Sequence, residues 1–182
     1  AASDVYKRQG GIARRRTIPE GITVSKKAKL ASVFDTNREV NITVARDFNA
    51  IAVDTLEDLL AEDIDAVYIA SPVNMHMEQT IACAKAGKHV LCEKPLGLNV
   101  DEAERMIEAC EESGVILGTG FMMRFIAQHR TALKMLEDGK LGKPVYGRAQ
   151  LSCWYPPIQG AFRQNPEEGG GGSLVDMGTH CI

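Results

Sequence analysis

The chain has no pair of cysteines in C-x-x-C spacing: Cys83, Cys92, Cys110, Cys153 and Cys181 all stand apart. That rules against a zinc knuckle or a dithiol redox motif, and no metal site is expected. No apolar run approaches the ~20 residues that a membrane-crossing helix needs. The opening residues have no apolar leader. Nor is there an excess of positive charge: 21 Lys+Arg against 24 Asp+Glu leave a formal net charge of −3. An electrostatic footprint for nucleic acid or an anionic membrane is therefore missing. The one basic cluster is Arg14, Arg15 and Arg16. An odd number of cysteines without a secretory signal predicts reduced, mostly buried thiols in a cytoplasmic protein. There is no internal repeat, and the only low-complexity stretch is the glycine run at 169–172.

What the chain does have is an alternating pattern. From about residue 29 to 119, short apolar runs are followed by longer amphipathic segments, the signature of βαβ units and a parallel sheet. Residues 30–34 read as a strand ended by Asp35, and 38–48 as a helix with Val40, Val44 and Phe48 on one face. A short strand at 51–53 precedes a helix opened by Thr55, with Asp58 three residues on in capping position. Residues 66–70 form a continuous apolar run, suited to a central strand buried on both faces. The next helix starts near His76 and stops at Gly87. Residues 89–92 read as another buried strand. Asn99 caps a helix in which Ala103, Met106, Ile107 and Cys110 share one face. Gly114 ends that helix, and 115–117 is the last strand of the series.

Beyond Gly120 the composition changes. Residues 128–137 look helical, and 144–152 alternate with period two, as in a strand of an antiparallel sheet with one wet face. The glycine run then leads into a helix capped by Ser173.

Three places carry chemistry. Gly10, Gly11, Ile12 and Ala13 match the end of a G-x-G-x-x-A turn, whose following helix offers free N–H groups to a pyrophosphate. The first glycine of that turn would fall where Arg8 stands, and residues 4–9 do not read as a buried strand, so a plain flexible turn is the competing reading. Asp35 lies 22 residues after Ala13 at a strand end. A carboxylate there accepts both ribose hydroxyls of NAD and repels the 2′-phosphate of NADP. The bland reading is a turn aspartate. The three arginines pull toward NADP, or simply form a solvated helix face.

Glu93, Lys94 and Pro95 follow the strand ending at Cys92. Ligands of open parallel sheets bind outside the carboxyl ends of strands, so Lys94 stands where a reacting group would lie, unless it is only a loop charge. Asp176 and His180 are four apart on an expected helix and hence on one face. A carboxylate there would stabilise a protonated imidazole and orient it for proton transfer. Alternatively, Asp176 is a helix-cap acid and His180 a core histidine.

Together these segments resemble the glucose–fructose oxidoreductase/inositol dehydrogenase (Gfo/Idh/MocA) family, from about Gly10 to the end of the chain. The resemblance is carried by Ala-Gly-Lys-His-Val-Leu-Cys-Glu-Lys-Pro-Leu at 86–96 and by Gly-Gly-Gly-Ser-Leu-Val-Asp-Met-Gly-Thr-His at 170–180. It implies an α/β fold: a Rossmann-like parallel sheet over residues 10–120, then the first part of an α+β domain with an open, mostly antiparallel sheet over 121–182. It implies Lys94 as catalytic lysine, Asp176 as substrate-orienting acid and His180 as general acid/base. Arg38, Ser71, Pro72, Asn74, His76, Glu93 and Lys94 join the glycine turn and Asp35 as expected cofactor contacts. Val73 takes a place where the family often has Asn, and His76 would otherwise only start its helix. Arg124 resembles the arginine that opens the second domain.

The reaction implied is oxidation of a secondary alcohol on a sugar, inositol or related polyol, with NAD preferred over NADP. Alternatives are elimination or glycoside cleavage through transient oxidation, or a non-catalytic binding protein on the same fold. Family members are longer, so the chain is expected to be truncated at both ends, with residues 1–9 unrelated to the fold and its first strand missing. The fragment alone is expected to be inactive, and the full-length protein is expected to be a homo-oligomer.

Overall fold

The computed structural model describes residues 11–154, 156–157, 164–165 and 171–181. Ala13–Ile22 forms an opening helix wound wider than an α-helix, interrupted in its donor row by Pro19. Then the alternation begins: β1 (Ser32–Val33), α1 (Arg38–Asp47), β2 (Ile51–Ala52), α2 (Leu56–Ala61), β3 (Ala66–Ile69), α3 (His76–Lys85), β4 (His89–Cys92), α4 (Val100–Glu112) and β5 (Leu117–Thr119). Further on come α5 (Ala127–Glu137) and a short α6 (Gly172–Asp176).

Every described strand pairing is parallel. β1 pairs with β2, and β3, β4 and β5 form a second sheet in that order. In a doubly wound sheet of order 3-2-1-4-5-6, the strand before the first helix lies between these two groups. Residues 1–10, where such a strand would fall, lie outside the described residues.

Local chemistry sets the helix ends. The Asn37, Thr55 and Asn99 side chains accept from the backbone N–H of Val40, Asp58 and Glu102. Each satisfies one of the donors that a helix start leaves unpaired. Gly87 and Gly114 follow α3 and α4 at φ of 71° and 66°, the left-handed region where glycine avoids a Cβ clash. α3 and α4 pack against each other on one face of the second sheet. Val67, Ile69, Val90 and Cys92 face them, with Cys83 and the fully buried Met106 closing the core.

The structure corrects several expectations. β5 begins at Leu117: the Ile116 N–H donates to His89 Nδ1 at 3.0 Å, and the Ile116 side chain is 69% exposed. β3 and β4 are not buried on both faces. Val67, Ile69, Val90 and Cys92 are buried, whereas Leu91 is 43% exposed on the face turned from α3 and α4. Ile107, expected on the buried face of α4, is also exposed; Met106 and Cys110 carry that contact.

Residues 144–152 form no strand, and Val145 and Tyr146 are exposed. Alternation supplies an apolar face but no hydrogen-bond partner, and no antiparallel strand is present among the described residues to provide one. The cysteines are free: Cys83, Cys92 and Cys110 are buried, Cys181 is half-buried and Cys153 is exposed. Among the described residues, no helix is long and apolar enough to cross a membrane.

Candidate active site

The carboxyl ends of β1, β3 and β4 carry Asp35, Ser71 and Lys94 respectively. Lys94 is the centre of the arrangement. Its side chain is only 10% exposed, and its Nζ donates to Asp176 Oδ1 at 2.6 Å and to the Asp176 backbone carbonyl at 2.7 Å. These partners are 82 positions apart in sequence.

His180 lies in the same electrostatic neighbourhood. Burial holds its imidazole below the ordinary histidine range; the Lys94 ammonium pushes the same way, against the opposing carboxylates of Asp176 and Glu93. Its Nδ1 is buried and has no hydrogen-bond partner. The aspartate was expected to favour the charged ring. Instead, desolvation and the lysine outweigh it, so the neutral, proton-accepting form is favoured.

Asp176 and His180 do not share one helix, as their spacing had predicted. α6 ends at Asp176, and His180 sits in a separate 3₁₀ turn, Gly178–Cys181. Ser173 is not the cap either. The chain enters α6 through Gly171 (φ 155°) and Gly172 (φ 64°), and no side chain caps it. A Cβ on Gly171 would stand 2.5 Å from Val175 Cγ2, so only glycine fits that entry and Ser173 falls inside the helix.

Glu93, expected as a cofactor contact, is instead engaged by Tyr68, which the sequence did not single out. The Tyr68 hydroxyl donates to Glu93 Oε1 at 2.6 Å, and Thr17 Oγ1 of the opening helix is 2.9 Å from the same hydroxyl. Burial first, and the bond to Glu93 second, raise the Tyr68 pKa, so the phenol keeps its proton. Gly120 leaves room for Glu93: a Cβ there would stand 3.2 Å from Glu93 Oε2. The only sequence signal was a hydroxyl-bearing aromatic in an otherwise apolar strand.

The expected cofactor contacts divide. Gly11 and Ile12 open the first helix and are half-buried with Ala13, while Gly10 lies outside the described residues. The three arginines engage the protein itself: Arg14 pairs with Asp47, Arg16 pairs with Glu20, and Arg15 donates to the Gly11 carbonyl. Asp35 Oδ1 accepts from Asn37 N–H at 2.8 Å, and burial raises its pKa against that bond. Arg38 is exposed, 3.4 Å from Asp54. Ser71 Oγ donates to Gln79 Oε1 at 2.7 Å. Pro72 precedes a 3₁₀ turn, Val73–Met75, in which Asn74 is exposed and Val73 is buried. His76 is 1% exposed, and its two ring nitrogens lie against backbone carbonyls rather than open space. Arg124 is exposed in the turn Met122–Phe125, which lies against Gly178–Cys181.

Residues 10–121 match the family described as "Oxidoreductase family, NAD-binding Rossmann fold", and 129–182 match the GFO/IDH/MocA C-terminal domain. The chain belongs to the Gfo/Idh/MocA oxidoreductase family. Its fold over the first of these stretches is Rossmann-like. The 1,5-anhydro-D-fructose reductase of Ensifer adhaerens is 36% identical over 155 residues, covering 84% of this chain and 46% of that protein. The myo-inositol 2-dehydrogenase of Thermotoga maritima is 42% identical over 123 residues, covering 66% of this chain and 35% of that protein. This Gfo/Idh/MocA chain thus spans less than half the length of either relative. Among solved structures, the 3-ketoreductase KijD10 of Actinomadura kijaniata, in complex with NADP and TDP-benzene, superposes with a TM-score of 0.77 at 30% identity, covering 92% of this chain and 51% of that one.

Proposed function

We propose that the whole protein is an NAD-dependent oxidoreductase acting on a secondary alcohol of a sugar, inositol or related polyol. The observation that carries this reading is the pairing of Lys94 with Asp176 across 82 residues of sequence, with His180, whose buried Nδ1 has no hydrogen-bond partner, within electrostatic reach of both. His180, favoured in its neutral form, accepts the hydroxyl proton. The Lys94 ammonium stabilises the alkoxide charge that develops, an electrostatic contribution that grows where water is excluded. Asp176 holds Lys94 in place through two contacts.

The residues present fit a nicotinamide dinucleotide. Gly11 and Ile12 start a helix, Asp35 keeps a second carboxylate oxygen for a ribose hydroxyl, and Ser71 and Lys94 line the same carboxyl edge of the strands. When bound, the nicotinamide supplies the hydride acceptor. Asp35 favours NAD over NADP by repelling a 2′-phosphate, and the engagement of Arg14 and Arg16 with acidic neighbours supports that preference.

The division at residue 120 is part of the reading, supported by two family models that leave only residues 122–128 between them. So is a cytoplasmic location, supported by five free cysteines, and so is self-association of the full-length chain.

The test is to supply a form of the relatives' length with NAD and a panel of cyclic polyols and pyranoses. Reduced nicotinamide should accumulate with at least one secondary alcohol. Bond cleavage in the substrate without net reduction would replace this reading with elimination or hydrolysis, and no reaction with any member would remove it.

A further inference from the structure

His76 is the first residue of α3 and is 1% exposed. Its ring bridges two loops at the carboxyl edge of the second sheet. Nε2 is 3.0 Å from the carbonyl of Ser71, just past β3, and Nδ1 is 2.9 Å from the carbonyl of Pro95, just past β4. Both partners are acceptors, and a neutral ring carries one N–H, so it donates to one of them and only makes a close contact with the other. Pro95 directly follows Lys94, whose ammonium sits on Asp176.

We infer that the Nδ1–H of His76 donates to the Pro95 carbonyl and thereby positions Lys94 for the reaction. His76 is then a positioning residue that acts through the lysine and touches neither substrate nor cofactor. The physical basis is rigidity. The backbone that carries Lys94 is held from one side by the β-ladder, through Glu93 N–H to the Ile69 carbonyl at 2.9 Å. On the other side it is held by this buried imidazole. Releasing the Pro95 carbonyl lets the turn shift, and a displacement of about 1 Å of a reacting group lowers turnover by about a hundredfold. The Ser71 contact bears on the ring but not on the lysine. The inference rests on the proposed role of Lys94.

Two substitutions separate the bonds. His76→Asn keeps an amide N–H near the Nδ1 position, and His76→Gln keeps one near Nε2. In the full-length enzyme, each keeps one of the two ring contacts and gives up the other, so a merely structural role predicts equal losses of melting temperature and of turnover. The positioning role predicts similar melting temperatures and NADH affinities, with kcat nearly retained in His76→Asn and lowered at least about tenfold in His76→Gln. In a Lys94→Ala background, the difference between Asn and Gln should vanish, because the residue through which it acts is gone. Equal kcat in the two variants, or a difference that persists without Lys94, overturns the inference. Wild-type turnover in Lys94→Ala alone overturns instead the proposed role of the lysine, and the inference with it. A readout free of substitutions is a slowly exchanging Nδ1 proton coupled to the Pro95 carbonyl carbon; a ring protonated on Nε2 alone refutes the donation.

Discussion

Replacing Lys94 with alanine removes one charge and three N–H donors from a nearly closed site. Two of those donors are already engaged, by Asp176 Oδ1 at 2.6 Å and the Asp176 carbonyl at 2.7 Å. One is left to meet a developing alkoxide. A single preorganised donor at such a position contributes roughly 2.7–4 kcal/mol, or about 10²–10³ in turnover. With the lysine side chain 10% exposed, water does not readily take its place. The same substitution leaves Asp176 without its ammonium. Breaking a fully buried pair costs about 3–5 kcal/mol; Asp176 is 23% exposed, so partial hydration keeps the loss of stability below that range. The assay is steady-state nicotinamide reduction in the full-length enzyme, with NADH affinity measured separately by fluorescence titration. The expected result is kcat lower by about 10²–10³ and NADH affinity nearly unchanged. Wild-type kcat would return Lys94 to the status of a loop charge. A loss confined to cofactor affinity would show that the lysine binds rather than stabilises the transition state.

The remaining predictions concern the proposed base, His180, and the proposed ribose carboxylate, Asp35. His180 has its pKa lowered by burial and then by Lys94, and a base works deprotonated, so kcat/KM should rise with pH through a midpoint below the ordinary imidazole value of about 6.5. The same shift makes the histidine's contribution to stability complete above that ordinary value and lost as pH falls through the depressed one. A pH–rate limb assigned to His180 above the ordinary value would contradict the desolvation argument. Asp35→Ser should erode the preference for NAD over NADP by about tenfold, one like-charge repulsion at about 4 Å being worth roughly 1–4 kcal/mol between bulk water and a protein surface. If the unsubstituted enzyme already prefers NADP in competing kinetics, the role given to Asp35 is wrong.

Much of the Rossmann-like region was legible because its signals are local. Thr55 and Asn99 cap helices whose first donors lie three residues away, and Gly87 and Gly114 supply the left-handed backbone that ends α3 and α4. Short apolar runs between those helices had only one role open to them. The 144–152 stretch went the other way: its alternation was real, yet a strand needs a partner that no alternation can report. Ser173 misled for a related reason: Gly171, where any Cβ would collide with Val175, takes the cap position two residues earlier.

By itself, then, the sequence determined the alternation of strands and helices, most of their ends, and the residue types at Lys94, Asp176 and His180, because these follow from periodicity, caps and composition within a few residues. Only the tertiary structure decided what those residues do to one another. The ion pair between Lys94 and Asp176, the reversal of sign at His180, the Tyr68–Glu93 bond and the clamp of His76 on Ser71 and Pro95 join atoms from different elements. Their strength depends on distance and on the exclusion of water, and neither is written in the order of the residues.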